Sequence, residues 1–133
     1  MNATDFFAAK LAFETDAADV AHDARRGSLP YTLIDTRSRD AYEKAHLPGA
    51  ISLPYSEMTD ERIASLPDGP IVTYCWSPAC NAATKGAHRL AAAGREVREM
   101  LGGFEYWVRE GHPVEGRARG PLANAPEPEL VGC

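Results

Sequence analysis

Cysteine is scarce in this sequence. Cys75, Cys80 and Cys133 are the only 3 in 133 residues, an odd count that is too small for a disulfide framework and lacks the His or Cys partners of a structural zinc site. Positive charge is short as well. Against 19 Asp plus Glu stand 14 Lys plus Arg, a formal charge of −5, so the chain has no general attraction for phosphate backbones or anionic lipid and nucleic acid is not an expected partner. Long apolar runs are missing: nothing approaches the roughly 18–20 residues needed to cross a bilayer. Met1-Asn2-Ala3-Thr4-Asp5-Phe6-Phe7 carries neither the basic nor the apolar segment of a secretory signal. The expectation is a cytoplasmic protein without a membrane partner. What is present suffices for one core, because 44% of the residues are hydrophobic, among them 2 Trp, 5 Tyr and 4 Phe, at a length typical of a single domain.

The pattern alternates between strands and helices. Phe6 to Phe13 predicts a weak helix and then a short strand through Leu11-Ala12-Phe13, since its periodicity fits neither cleanly. Thr15-Asp16 caps an amphipathic helix from Ala17 to Arg26, with Ala17, Val20, Ala21 and Ala24 on one face. Strands follow at Tyr31–Asp35 and Ala50–Leu53, with a short helix from Asp40 to His46 between them and another from Thr59 to Leu66 after them. Ile71-Val72-Thr73-Tyr74-Cys75 is the most strand-like run, apolar and β-branched as in a strand covered on both faces, which places it centrally in a parallel sheet. After a loop come an Ala-rich helix from Ala82 to Ala93, a strand from Val97 to Leu101 and a last helix from Phe104 to Arg109. Such βαβ alternation predicts an α/β fold with a mainly parallel sheet. Residues 1–115 read as one domain. From Gly116 the composition turns to Gly, Pro, Ala and charge, so residues 116–133 read as a flexible or surface-draped tail.

Cys75 ends the central strand and precedes a loop and a helix, the place where open α/β sheets bind ligands. Loop N–H groups and a helix N-terminus there favour the thiolate, predicting a lowered pKa and a reactive sulfur. Position alone equally allows a small buried apolar residue at a strand end.

A set of spaced residues narrows the choice. Asp35-Thr36-Arg37, Tyr42, His46-Leu47-Pro48-Gly49-Ala50 and Leu53-Pro54 resemble the N-terminal signature of the rhodanese domains, and Leu101-Gly102-Gly103-Phe104 with Trp107, Gly111 and Pro113-Val114 is similar to their C-terminal one. The resemblance spans about Thr32 to Glu115. It implies the rhodanese fold, a central, mainly parallel, five-stranded sheet with helices on both faces. It also implies a sulfurtransferase that carries sulfane sulfur as a persulfide on Cys75, without cofactor or metal. Donors would be thiosulfate or a persulfide, and acceptors a thiol, cyanide or a protein. The active-site loop would comprise Trp76, Ser77, Pro78, Ala79, Asn81 and Ala82, with Trp76 as the candidate wall of the site. Trp107 and Tyr106 are expected as core and interface aromatics. Asp35 and Arg37 are expected to form a fixed ion pair or a cap, and His46 to hydrogen-bond loop backbone.

Departures from the family pattern concentrate in that loop, which is two or three residues longer than usual and contains no basic residue. Lys85 on the following helix is the candidate anion contact, though a simply solvated side chain explains it as well. Thiosulfate is therefore expected to be a poorer donor than a persulfide. Cys80 is a candidate second thiol, or the nucleophile itself if the register shifts, or a loop residue packed under the helix. Two other functions remain in view. A non-catalytic binding module would suit the altered loop, whereas a cysteine phosphatase of this fold needs an arginine where Asn81 stands, to bind the phosphoryl oxygens.

Overall fold

The computed structural model describes residues 1–117. Five strands form one sheet in the order β1-β5-β4-β2-β3, and every pair is parallel. The strands are β1 (Glu14–Asp16), β2 (Thr32–Asp35), β3 (Ile51–Ser52), β4 (Ile71–Tyr74) and β5 (Val97–Leu101). Helices α1 (Ala3–Phe13), α2 (Ala17–Arg25), α3 (Arg39–Lys44), α4 (Asp60–Ala64), α5 (Ala82–Ala92) and α6 (Gly103–Arg109) connect or flank them. No described helix is long and apolar enough to cross a membrane.

Side-chain alternation along the strands divides the core into two layers. In β2, Leu33 joins a cluster with Val20, Ala21, Val72, Tyr74, Phe104 and Trp107, whereas Ile34 joins one with Leu53, Met58, Ile63, Ile71 and Leu90. In β4, Val72 and Tyr74 face the first layer and Ile71 the second, as the period of two requires. Helix starts follow local chemistry: Asp16 Oδ1 accepts from the Asp19 N–H at 2.9 Å, Ser38 Oγ from Ala41 and Thr59 Oγ1 from Arg62. Each satisfies an amide that the helix cannot.

The first segment departs from the sequence reading. Leu11-Ala12-Phe13 continues α1, and the strand is formed by Glu14–Asp16 instead. Asn2 caps the helix by accepting from Asp5, and a Lys10–Glu14 ion pair of 2.8 Å spans its end. Once the chain turns at Glu14, the polar trio Glu14-Thr15-Asp16 is the part that reaches β5, pairing with Glu99, Met100 and Leu101. A 3₁₀ turn at Tyr55–Glu57 also escapes the sequence pattern. At the other end the chain stays docked past Glu115: Glu115 and His46 exchange backbone hydrogen bonds of 2.9 Å, and the Arg117 N–H donates to Glu43 O at 3.0 Å. Residues 118–133 of the expected tail, Cys133 included, lie outside the described residues.

Candidate active site

Cys75 follows the last residue of β4 and is a free thiol, 3% exposed. By strand parity it lies on the side opposite Val72 and Tyr74, and it packs against Ala82, Ala83 and Cys80. Its sulfur donates to Cys80 O at 3.4 Å and, more weakly, to Ser77 O at 3.9 Å. Burial pushes the thiol pKa up, contrary to the lowering expected from the sequence. The N–H groups of Ala83, Ser77 and Trp76 pull it down, and the Glu99 carboxylate raises it further. Desolvation wins because so little of the residue meets water. The loop thus holds a protonated thiol at rest, with carbonyls receiving its proton and amides ready for a charge.

Strand parity also decides Trp76. It turns to the face of Val72 and Tyr74 and is 3% exposed, so it does not wall the loop mouth as expected. Its ring lies 4.5 Å from the Arg37 guanidinium carbon, with the Phe104 ring 4.4 Å away from the same group. Arg37 is fully buried and pairs with Asp35, Nη2 to Oδ2 at 2.7 Å, and its Nη2 also donates to Ala45 O. Tyr74 Oη donates to the same Asp35 oxygen at 2.6 Å and accepts from the Leu47 N–H. Burial alone would lower the Arg37 pKa, but the Asp35 carboxylate outweighs it and the guanidinium stays charged. This network ties β2, β4 and the 45–47 segment together beneath the loop.

The remaining sequence candidates separate. Ser77 is partly buried, its Oγ accepting from the Ala79 N–H at 3.2 Å, while Pro78, Ala79 and Asn81 are exposed. Ala82 is buried against Cys75. Lys85 is exposed on α5. Cys80 reaches Cys75 through its carbonyl. His46 Nδ1 meets Tyr42 O at 2.7 Å, its ring stacks on Tyr42 at 3.7 Å, and it lies in the structural frame. Trp107 is core, 1% exposed, but Tyr106 is 43% exposed and is no core residue.

Two contributors were missed. The N–H groups of Phe104 and Glu105, at the start of α6, donate to Cys75 O and Trp76 O, each at 2.8 Å. Gly103 permits that approach: a Cβ there would lie 2.7 Å from Cys75 O, Ser77 N and Trp76 C, at a φ of +65°. The signal was the Gly102-Gly103 pair, visible in the sequence but without an assigned contact. The second is Glu99, whose Oε1 accepts from Thr84 Oγ1 at 2.7 Å. Among the described residues no group of three or more His, Cys, Asp or Glu side chains is placed to hold a metal ion.

A free cysteine after the central strand of a five-stranded parallel sheet, cradled by a loop leading into a helix, defines a class of cysteine-loop α/β domains. The comparisons specify which. The rhodanese-like domain model matches residues 17–110, and the chain belongs to that family. Among solved structures, a protein of Bacillus halodurans is 41% identical with a TM-score of 0.81, covering 86% of this chain and 84% of that one. The rhodanese-like domain of an Anabaena protein is 28% identical with a TM-score of 0.70, covering 90% and 92%. An HTH-type transcriptional regulator of Mycobacterium tuberculosis is 35% identical over 91 residues, which are 68% of this chain but 40% of the regulator. A probable molybdopterin-synthase adenylyltransferase of Porphyra purpurea is 23% identical over 95 residues, 25% of its length. The chain therefore spans less than half of these two relatives.

Proposed function

We propose that this domain is a sulfurtransferase that carries sulfane sulfur as a persulfide on Cys75. The observation that supports it best is the cradle: a free thiol at the end of β4, with the Ala83, Ser77 and Trp76 amides favouring its charged form. In the first half-reaction the Cys75 sulfur attacks the outer sulfur of a donor persulfide. The Cys75–sulfur bond forms as the donor's S–S bond breaks, and the leaving thiolate takes up the proton displaced from the thiol. In the second half-reaction an acceptor thiolate attacks the outer sulfur, and Cys75 departs with the bonding pair. No outside oxidant or reductant is needed. The added sulfur extends about 2 Å beyond the cysteine sulfur, carrying the negative charge outward from the site where burial penalises it. The loop amides then act as fixed donors to that charge.

Donor choice follows from the surrounding charge. The loop has no cation, and Glu99 acts unfavourably on negative charge at Cys75. A dianion such as thiosulfate is the poorer donor and a glutathione or protein persulfide the better one. Intact mass after incubation with each donor, then after cyanide, tests this: wild type should gain one sulfur and lose it, and Cys75→Ser should gain none. Uptake by Cys75→Ser equal to wild type would remove Cys75 from the reaction.

A second reading is favoured by one observation. The deep burial of Cys75 and its raised pKa are what an inert thiol in a binding module would show. A folded wild-type protein that gains sulfur from neither glutathione persulfide nor thiosulfate would establish that reading over the first.

A further inference from the structure

Beside the Cys75 loop runs a groove of about 360 Å³, lined by Asp16 and Ala17 at the start of α2, Pro78 of the loop, Leu101 at the end of β5, and Tyr106 and Glu110 of α6. It meets the Cys75 loop through chain connections at both of its sides. Pro78 is three residues from Cys75, and Gly102, also in the lining, precedes the Gly103-Phe104-Glu105 segment whose N–H groups hold the Cys75 and Trp76 carbonyls. Two large side chains there, Leu101 and Tyr106, are 41% and 43% exposed, an apolar strip left uncovered at the edge of a reactive loop. Carboxylates flank it. Asp16 caps α2 through the Asp19 N–H, and Glu110 pairs with His112 at 3.5 Å, a contact charged only when the histidine is protonated. No Lys, Arg or His lines the groove. Arg109, 6.0 Å from the Tyr106 ring, is matched by Glu105 at 3.2 Å.

We infer that this groove docks a basic, partly apolar peptide segment of a protein that gives sulfur to Cys75 or takes it away. The inference rests on the sulfurtransferase reading and specifies its partner. Apolar side chains of the segment cover Leu101 and Tyr106, while its lysines or arginines meet Asp16 and Glu110. A cysteine within the segment is thereby held near the loop, raising its effective concentration at a sulfur that is otherwise hard to reach. Charge complementarity at a rim acts on encounter and on partner choice, and weakens with salt.

The test separates docking from chemistry. Two labelled peptides with a Leu-Cys core are compared, one flanked by lysines and one by glutamates. For binding, versions with serine in place of cysteine are titrated by fluorescence anisotropy. Wild type should prefer the lysine peptide by on the order of fivefold or more at low salt, the scale of two exposed ion pairs. Asp16→Asn combined with Glu110→Gln should abolish the preference, and asparagine retains the α2 cap. Tyr106→Ser should weaken both peptides. Equal affinities in wild type, or a preference that survives the double substitution, would overturn the groove. In turnover the persulfidated lysine peptide should show a correspondingly lower KM than its glutamate counterpart. A wild type that takes sulfur from no donor would instead refute the sulfurtransferase reading, and the anisotropy result would still stand on its own.

Discussion

Replacing Gly103 with alanine should damage the Cys75 loop more than any other single added methyl group in its vicinity. Two costs combine. A φ of +65° is left-handed backbone, which costs an L-residue about 1–2 kcal/mol. The new Cβ would lie 2.7 Å from Cys75 O, Ser77 N and Trp76 C, three backbone atoms that have no rotamer through which to yield. Overpacking of that kind typically costs about 1–3 kcal/mol, so the sum is about 2–5 kcal/mol, a large share of a small domain's stability. Relief would come by moving α6 away, which stretches the two 2.8 Å hydrogen bonds from Phe104 and Glu105 to the loop carbonyls. Gly111→Ala supplies the control, since φ there is +82° but nothing lies within 4 Å of the added carbon. Urea unfolding of the two variants isolates the clash: Gly111→Ala should lose about 1–2 kcal/mol and Gly103→Ala clearly more. Sulfur uptake by folded Gly103→Ala, measured well below its transition, should be slower than in wild type. If Gly103→Ala matched Gly111→Ala in stability and wild type in uptake, the clamping of the loop by α6 would be wrong.

Other expectations follow from the same geometry. Arg37→Met removes one partner of a fully buried ion pair and leaves Asp35 uncompensated, so it should cost about 3–5 kcal/mol in chemical denaturation; Asp35→Asn combined with it should recover part of the loss, and no recovery would argue against coupling. Alkylation of Cys75 by iodoacetamide should rise with pH through a midpoint above that of an ordinary cysteine, because burial raises its pKa; a midpoint at or below the ordinary value would contradict the burial. Linkage has a definite sign here: the folded state favours the protonated thiol, so its contribution is complete below the unfolded pKa and declines as pH rises through the folded one, and Cys75→Ser should remove that decline. In a Trp107→Phe background the Trp76 fluorescence should be resistant to iodide quenching, as suits a ring 3% exposed, whereas a tryptophan at the loop mouth would be quenched readily.

Much of this architecture was legible because local chemistry and tertiary packing agree. The β-branched, apolar run at Ile71–Tyr74 became the strand between β2 and β5, and Val97–Leu101 became β5 with the expected limits. Asp16 and Thr59 both cap helices, because a short polar side chain before a helix satisfies an amide regardless of what surrounds it; Ser38, not assigned from the sequence, caps a third that starts at Arg39. The first strand failed for the complementary reason. Glu14-Thr15-Asp16 has little strand character, and its pairing with Glu99–Leu101 is imposed by a neighbour more than 80 positions away. Leu11 and Phe13 were apolar enough to suggest a strand, yet they are 84% and 62% exposed on α1, so their chemistry did not set their burial.

The site divides along the same line, and strand parity explains how. Ile71, Thr73 and Cys75 share one side of the strand, while Val72, Tyr74 and Trp76 share the other. Continuing that alternation two residues beyond the strand would have sent Trp76 into the core, away from the mouth of the loop. Burial of Cys75 is different. It depends on Ala82 and Ala83 closing over the sulfur and on α6 drawing the loop's first carbonyls inward, contacts fixed only once the whole domain has folded. A motif can identify which sulfur sits at the end of the strand, but the direction of its pKa is a balance between desolvation and oriented amides. In this domain burial tips that balance toward the thiol, so the proposed transfer would require the charge to move onto the outer sulfur of a persulfide.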